Sequence, residues 1–246
     1  MLKFFAAFRF IKDIFLPTCC PVCLKETEKS GICKECHGIL EAAMLENPDF
    51  DFDFDGYTVR CSSVFSYEYE QVRSLVMFMK ENPDKGVYMY AAAYLARAVR
   101  SLGLSEDTVI TYVPRSTQGL RENGFDQSQL LARSVSRIVP HLEYGRLLKR
   151  HGRSMAQKRL TGKEREENVK GKFRAVKTDA SPKNILITDD MFTTGSSVKE
   201  CAAVLKSAYP DARIFCVTVA RRNERTGNVT ERIVETWQQK RNRQGI

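Results

Sequence analysis

The stretch Ile185-Leu-Ile-Thr-Asp189-Asp190-Met-Phe-Thr193-Thr194-Gly195-Ser196-Ser197 decides how the chain is read. The apolar run that feeds it, 184–188 (NILIT), has the composition of a strand buried on both faces, as in a parallel sheet. A turn over 189–195 then opens a helix that is expected to run to residue 208. The strand delivers two adjacent carboxylates to its end, and small hydroxyl residues with one glycine follow them. Those ingredients suit a sugar phosphate. Backbone N–H groups at the helix start and the hydroxyls of Thr193, Thr194, Ser196 and Ser197 can surround a phosphate in the favourable field of a helix N-terminus. Asp189 and Asp190, just ahead of them, can accept hydrogen bonds from vicinal ribose hydroxyls, with or without a bridging divalent cation. Ligands of open α/β sheets bind outside the carboxyl ends of strands, which is where this turn falls.

Working outward, 108–113 is a second short apolar run that ends at Pro114, and 213–220 (RIFCVTVA) is a third. The segment 58–67 is rich in β-formers, and 144–148 reads as a further short strand. Helical periodicity covers 69–80, 87–102 and 127–139, with Asn82-Pro83-Asp84 separating the first two. Strands alternating with helices predict an α/β fold: a mostly parallel sheet with helices on both faces. Residues 146–177 hold twelve Lys or Arg against three Glu and few apolar side chains, too polar for a core. An insertion of that kind reads as a hood over a site, with a solvated pair of charged helices as the alternative.

The string around Asp189 resembles the phosphoribosyl-diphosphate (PRPP) binding motif of type I phosphoribosyltransferases: a hydrophobic strand, two acids, two further residues, Thr-Thr-Gly and a small-residue helix start. Val113-Pro114-Arg115, Arg121-Glu-Asn-Gly124-Phe125-Asp126-Gln127 with Leu130-Leu-Ala132, and then Gln157, Arg165, Asn168-Val169 and Gly171-Lys-Phe173 fall in the order and spacing of the ComF family, to which GntX proteins are related. The resemblance spans most of residues 15–222. It implies a phosphoribosyltransferase-like sheet on which Asp189 and Asp190 hold the ribose hydroxyls of PRPP. Thr193, Thr194, Gly195, Ser196 and Ser197 would hold its 5′-phosphate, and Pro114, Arg115 and Ser116 the pyrophosphate, with Arg115 offering a forked donor. Arg121, Gly124, Phe125 and Gln127 resemble the family's Arg-Gly-Phe-Asn-Gln signature. Asn123 stands where an Arg is usual and Asp126 where an Asn is usual, and an acid beside a diphosphate repels it unless a metal intervenes.

The implied activity is transfer of a phosphoribosyl group to an acceptor with release of pyrophosphate. Mg²⁺ would ride on the diphosphate, and Arg165 of the hood would be first among the groups that close over it. Kinship with the family implies a part in natural competence and DNA uptake, with competence proteins as partners. The second reading is a non-catalytic factor that binds single-stranded DNA and keeps the pocket as a PRPP sensor or a relic.

The other strong pattern is Cys20-x2-Cys23-x9-Cys33-x2-Cys36, two chelating knuckles suited to a tetrahedral structural Zn²⁺, with Cys19 and His37 as neighbours able to replace a ligand. A redox pair is the rival reading. Metal spacing indicates a reduced, cytoplasmic compartment. Cys61, Cys201 and Cys216 read as buried small apolar residues. Phe4, Phe8, Ile11 and Phe15 lie on one face of an expected N-terminal helix that ends at Pro17, able to pack internally or, as the alternative, to touch a membrane surface. No run reaches the ~18 uncharged apolar residues of a membrane span.

Of the 246 residues 43% are hydrophobic, which excludes disorder throughout. The net charge of +9 is uneven, at −4 over 1–56 and +13 over the remainder, so the larger part favours polyanions, a diphosphorylated small molecule and a nucleic acid alike. The expected organisation is a helix, a four-cysteine zinc module and an acidic linker over 1–56, a phosphoribosyltransferase-like domain over 57–222 and a basic tail over 223–246. Within 1–56 the segment 47–56 (NPDFDFDFDG) reads as linker, and 39–45 as a short helix.

Overall fold

Strand β7 (Asn184–Phe192) is the axis of the sheet. Leu186 enters the core on one face while Ile185 and Ile187 enter the core on the other, all fully buried. That is the two-residue alternation of a strand covered on both sides. The structure is a computed structural model and describes residues 18–28, 31–104, 107–151, 171–176, 178 and 181–222. The expected helix through Phe15, most of the hood with Gln157, Arg165, Asn168 and Val169, and the tail from 223 lie outside the described residues.

Ahead of β7 come α1 (Lys34–Ala42), β1 (Asp49–Phe54), β2 (Tyr57–Ser66), α2 (Glu70–Glu81), α3 (Lys85–Ser101), β3 (Thr108–Tyr112), α4 (Thr117–Asn123), α5 (Gln127–Ile138), β4 (Leu142–Tyr144), β5 (Leu148–Arg150) and β6 (Phe173–Ala175). After it come α6 (Ser196–Ala208) and β8 (Arg213–Arg221). The main sheet runs β1-β2-β8-β7-β3-β4, and only β1 is antiparallel to its neighbour. Strands β5 and β6 form a separate antiparallel pair. Leu75, Met79, Leu95, Leu131 and Val135 of α2, α3 and α5 pack on one face, and Val198, Cys201 and Leu205 of α6 on the other, joined there by Leu148 and Phe173. The expected α/β architecture, a mostly parallel sheet with helices on both faces, is the one observed. Among the described residues no helix is long and apolar enough to cross a membrane.

Four local expectations are corrected. Residues 47–56 are not a linker: β1 pairs with β2 in register from Asp49↔Ser62 to Phe54↔Tyr57. Its Phe side chains face inward, Phe50 and Phe52 meeting the Phe192 ring edge-on at 4.9 and 5.3 Å, and its Asp side chains keep the open edge of the sheet charged. Helix α1 starts at Lys34 rather than at 39, because Cys33 caps it by accepting the Cys36 N–H on its sulfur. The strand expected over 144–148 is two strands, β4 ending at Tyr144 and β5 starting at Leu148. Strand β7 continues through Phe192, so Asp189 and Asp190 belong to the ladder, paired with β8 as Asp189↔Thr218, and not to the turn.

The chain leaves β3 toward β4 through α5 on one face and leaves β7 toward β8 through α6 on the other. The crevice between the carboxyl ends of β3 and β7 is therefore a topological switch point, the place where such sheets bind ligands. The aromatic wedge beside it sets a stability test. Phe52→Ala is expected to lower unfolding stability by roughly 1.5–3 kcal/mol in urea denaturation, the value of an apolar side chain that packs on the sheet; a surface linker would show no loss.

Candidate functional site

Asp189 and Asp190 stand at the carboxyl end of β7, beside the loop that follows β3, to which β7 is bonded through the Val113 N–H and the Thr188 carbonyl at 3.1 Å. Asp189 Oδ1 accepts the Ser128 hydroxyl at 2.8 Å and the backbone N–H of Asp190 at 2.9 Å. Burial, with the charge of Asp190 beside it, pushes the Asp189 carboxyl up to about 8, against the opposing pull of Ser128 and Lys80. Asp190 is buried, and its Oδ2 faces the ammonium of Lys80 at 3.5 Å from the last turn of α2. That carboxylate in turn holds the Lys80 ammonium above its ordinary pKa.

Arg115 joins the same cluster. Its backbone N–H donates to Asp126 Oδ2 at 2.8 Å, its Nη1 donates to the Lys80 carbonyl at 3.0 Å, and its guanidinium lies over the Phe125 ring at 5.8 Å. Asp126 caps α5, taking the N–H groups of Ser128 and Gln129 on Oδ1, so both oxygens are committed to backbone donors. Three residues on, Gln129 completes the spacing of a capping box, a signal of the cap that lies in the sequence itself. Asn123 donates to the Gly119 carbonyl within α4, and Gly124 ends that helix in the left-handed conformation at φ 75°.

The hydroxyl turn follows directly. Gly195 is the N-cap of α6 at φ 73° and has no side chain to cap it, and the first helical N–H, that of Ser196, meets Thr194 Oγ1 at 3.5 Å. A Cβ at this position would stand 2.5 Å from Phe52 and 2.8 Å from Phe192, so both its conformation and its surroundings require glycine. Thr194 Oγ1 and Ser196 Oγ share a hydrogen bond of 2.5 Å, and Thr193, Ser196 and Ser197 are half-buried. Ser116 caps α4 by accepting the Gly119 N–H at 3.1 Å. Pro114 is buried, Gln127 has a buried Oε1 without a hydrogen-bond partner, and Arg121 is exposed on α4. The acid pair, Arg115 and Asp126 thus meet directly or through Lys80 and Ser128. Arg165 lies outside the described residues.

Sequence reasoning missed Lys80, Ser128, Phe52 and Arg150. Arg150 lies over the Phe173 ring at 5.3 Å, desolvated enough that its pKa is lowered, while the charges of Glu200, Asp189 and Asp126 oppose that shift. Only its membership of a basic stretch marked it beforehand.

Away from the sheet edge, the sulfurs of Cys20, Cys23, Cys33 and Cys36 all lie within 4.8 Å of one another. The 3.8 Å separation of Cys23 and Cys33 matches the edge of a tetrahedron built on metal–sulfur bonds of about 2.3 Å. These four cysteines can hold a metal such as zinc. Burial pushes the Cys36 thiol up, whereas the Cys36 N–H draws that of Cys33 down. His37 is turned to α3, its Nδ1 at 2.9 Å from the Tyr90 hydroxyl, and the cluster of ligand atoms includes neither it nor Cys19. Cys61, Cys201 and Cys216 are fully buried in the core beneath α6.

No family model matches the chain. It is 28% identical over 120 residues to "Competence protein F" of Haemophilus influenzae, covering 48% of this chain and 52% of that protein. It is 30% identical over 122 residues to "DNA utilization protein YhgH" of Escherichia coli K12, covering 49% and 53%. The chain spans about half the length of the curated relatives it matches. Among solved structures it is similar to adenine phosphoribosyltransferase from Thermoanaerobacter pseudethanolicus, at TM-score 0.38 and 11% identity over 75% of this chain and 99% of the other. Hypoxanthine phosphoribosyltransferase from Staphylococcus aureus gives TM-score 0.35 and 14% identity over 56% and 65%.

Two measurements check this geometry. The carboxyl of Asp189 is held above the value of about 3.9 usual for a free aspartate, so the folded state binds a proton that the unfolded state has lost. Its stabilising effect is full below that value and is lost as the pH rises toward about 8. Asp189→Asn is therefore expected to gain stability relative to the wild type as the pH is raised across that window, read as urea midpoints at each pH; a constant difference between the two proteins rejects the assignment. Elemental analysis is expected to find about one zinc-like divalent ion per chain, lost together with thermal stability in Cys23→Ser/Cys36→Ser.

Proposed function

We propose that this chain, a ComF-type relative of competence protein F and the YhgH proteins, binds a phosphorylated ribose, PRPP foremost, and transfers its phosphoribosyl group to an acceptor with release of pyrophosphate. One observation carries the reading: two acids stand near the carboxyl end of the central strand at a switch point, and beyond Phe192 a hydroxyl-rich turn opens α6. Asp189 and Asp190 accept the vicinal hydroxyls. Thr193, Thr194, Ser196 and Ser197, with the N–H groups behind Gly195, surround the 5′-phosphate. Arg115 releases the Lys80 carbonyl to receive pyrophosphate, with Pro114 and Ser116 shaping its loop and Arg121 and Gln127 at its far side.

Displacement at the anomeric carbon passes through a transition state of oxocarbenium character, in which charge grows on the leaving diphosphate. Mg²⁺, when bound, neutralises that charge. It would ride on the diphosphate oxygens, because the inner oxygen of the acid pair already faces Lys80. Arg150, and Arg165 from the hood, add positive charge and exclude water. Zinc on Cys20, Cys23, Cys33 and Cys36 is structural, since four protein thiolates close its coordination sphere. A four-thiolate metal module fits a reducing, cytoplasmic setting.

The relatives' names, competence and DNA utilization, favour a link to DNA uptake, and with it the second reading, in which single-stranded DNA is bound by the basic surface. Titration calorimetry with PRPP and Mg²⁺ separates the two. Binding heat is expected from the wild type and its loss from Asp189→Asn/Asp190→Asn; two hydrogen bonds of roughly 1–3 kcal/mol each make the loss about 30-fold or more. No heat from the wild type overturns the phosphoribosyl reading. Single-stranded DNA binding that survives the double substitution and weakens steeply with salt supports the second. Release of pyrophosphate in an acceptor screen tests turnover.

A further inference from the structure

Lys80 belongs to none of the motifs that mark the site. It comes from α2, more than a hundred residues before the acids, and brings its ammonium to 3.5 Å from the inner carboxylate. The Asp190 side chain is 8% exposed and that of Lys80 32%, so the acid is turned inward while part of the lysine side chain stays open to solvent. Asp190 Oδ2 is shut off from water and takes no hydrogen bond, which leaves the ammonium at 3.5 Å as its compensation. The backbone fixes where that amine can reach. The Lys80 carbonyl is held by Arg115, and the last turn of α2 is closed by Asn82, whose backbone N–H donates to the Phe78 carbonyl at 2.8 Å and whose side-chain Nδ2 donates there at 3.1 Å. The same turn thus supports the residue proposed for pyrophosphate and neutralises the pair proposed for ribose.

Two adjacent carboxylates at a strand end are donors that a hard divalent cation accepts readily. An ammonium beside them changes what they prefer. Lys80 removes one negative charge from the cluster that the acids alone would carry, and a positive group already stands at the inner oxygen. Neutral hydroxyls still find acceptors in such a cluster and a donor in the ammonium. A bare metal ion meets repulsion.

We propose that Lys80 is the resident cation of the acid pair, a positioning and specificity-determining residue that makes Asp189 and Asp190 a receptor for the vicinal hydroxyls of a phosphorylated sugar and not for a free divalent ion. The proposal rests on the sugar-phosphate reading of this site, and the two fail in different ways.

The test uses the full chain, with Mn²⁺ followed by electron paramagnetic resonance and D-ribose 5-phosphate followed by calorimetry. Wild type and Lys80→Arg are expected to show no Mn²⁺ site at the acids. Lys80→Met is expected to gain one at least about tenfold tighter than any in the wild type, and Lys80→Met/Asp190→Asn to lose it again. Ribose 5-phosphate affinity should fall by about tenfold or more in Lys80→Met and be kept in Lys80→Arg, a rescue that a merely structural role for the side chain would not produce. Circular dichroism confirms folding, and Lys80→Gln, which also removes the charge, replaces Met if that variant does not fold. Mn²⁺ binding that is equal in wild type and Lys80→Met, or a wild-type Mn²⁺ site lost in Asp190→Asn, overturns the proposal. If Lys80→Met gains the Mn²⁺ site while no variant binds ribose 5-phosphate, Lys80 keeps its role as resident cation and the sugar-phosphate reading falls. If ribose 5-phosphate binds equally to all variants and no Mn²⁺ site appears, the reading stands and Lys80 is excluded.

Discussion

Two neighbouring carboxylates at the buried end of a central strand repel each other and lose hydration together, and the surroundings of β7 are arranged around that constraint. A hydroxyl from α5, the N–H of Asp190 itself and an ammonium from α2 are all spent on these two side chains. An apolar strand end would have needed none of them and would have been more stable. Keeping the acids in spite of this is how a binding or catalytic centre differs from a core: local stability is given up for acceptors that hold their position before any ligand arrives.

Three separate parts of the chain supply the support. Helix α2 brings Lys80 and, through its carbonyl, Arg115. The start of α5 brings Ser128, and its cap Asp126 holds the backbone of Arg115. Strand β1, at the far edge of the sheet in order, reaches back with Phe52 to close around Gly195, so that the turn is clamped between two aromatic rings. A backbone held in this way would meet the proposed phosphate with its N–H groups already aimed, without the entropy loss of ordering a loose turn.

How much of this could be read beforehand follows from distance along the chain. The strand, the two acids, the Thr-Thr-Gly turn and the helix start are contiguous, so composition and periodicity over thirteen residues were enough to find them, though not to carry the strand past the acids to Phe192. The knuckles were legible for the same reason: chelation by Cys-x2-Cys is local chemistry. Lys80, Ser128 and Phe52 reach the site only through crossovers between strands, and no window containing Asp189 includes them. Residues 49–54 were misread for another reason. Alternating Asp and Phe is the period-two pattern of a half-buried strand, but the density of acids drew the eye to composition, and an edge strand that protects itself with charge looks like a linker by that measure. Asp126 shows the same conflict on a smaller scale, since its charge suggested repulsion of a ligand while its position suggested a cap, and its hydrogen bonds follow its position.

The cysteine module and the acid pair are joined by packing. Cys20, Val22, Cys36 and Leu40 lie in the same core as Val72, Leu75, Val76 and Met79 of α2, and α1 packs against α2 directly. Met79 is fully buried in that core, and the next residue is Lys80. The register of α2 is thus set from below by the face it shares with the knuckle, and it fixes how far the ammonium reaches toward Asp190. A metal that holds four thiolates together would stiffen a short segment with little core of its own and, through α2, one wall of the proposed sugar-phosphate site. Because protein interiors are close-packed, a shift at one end of such a helix is carried to the other end and is not absorbed between them.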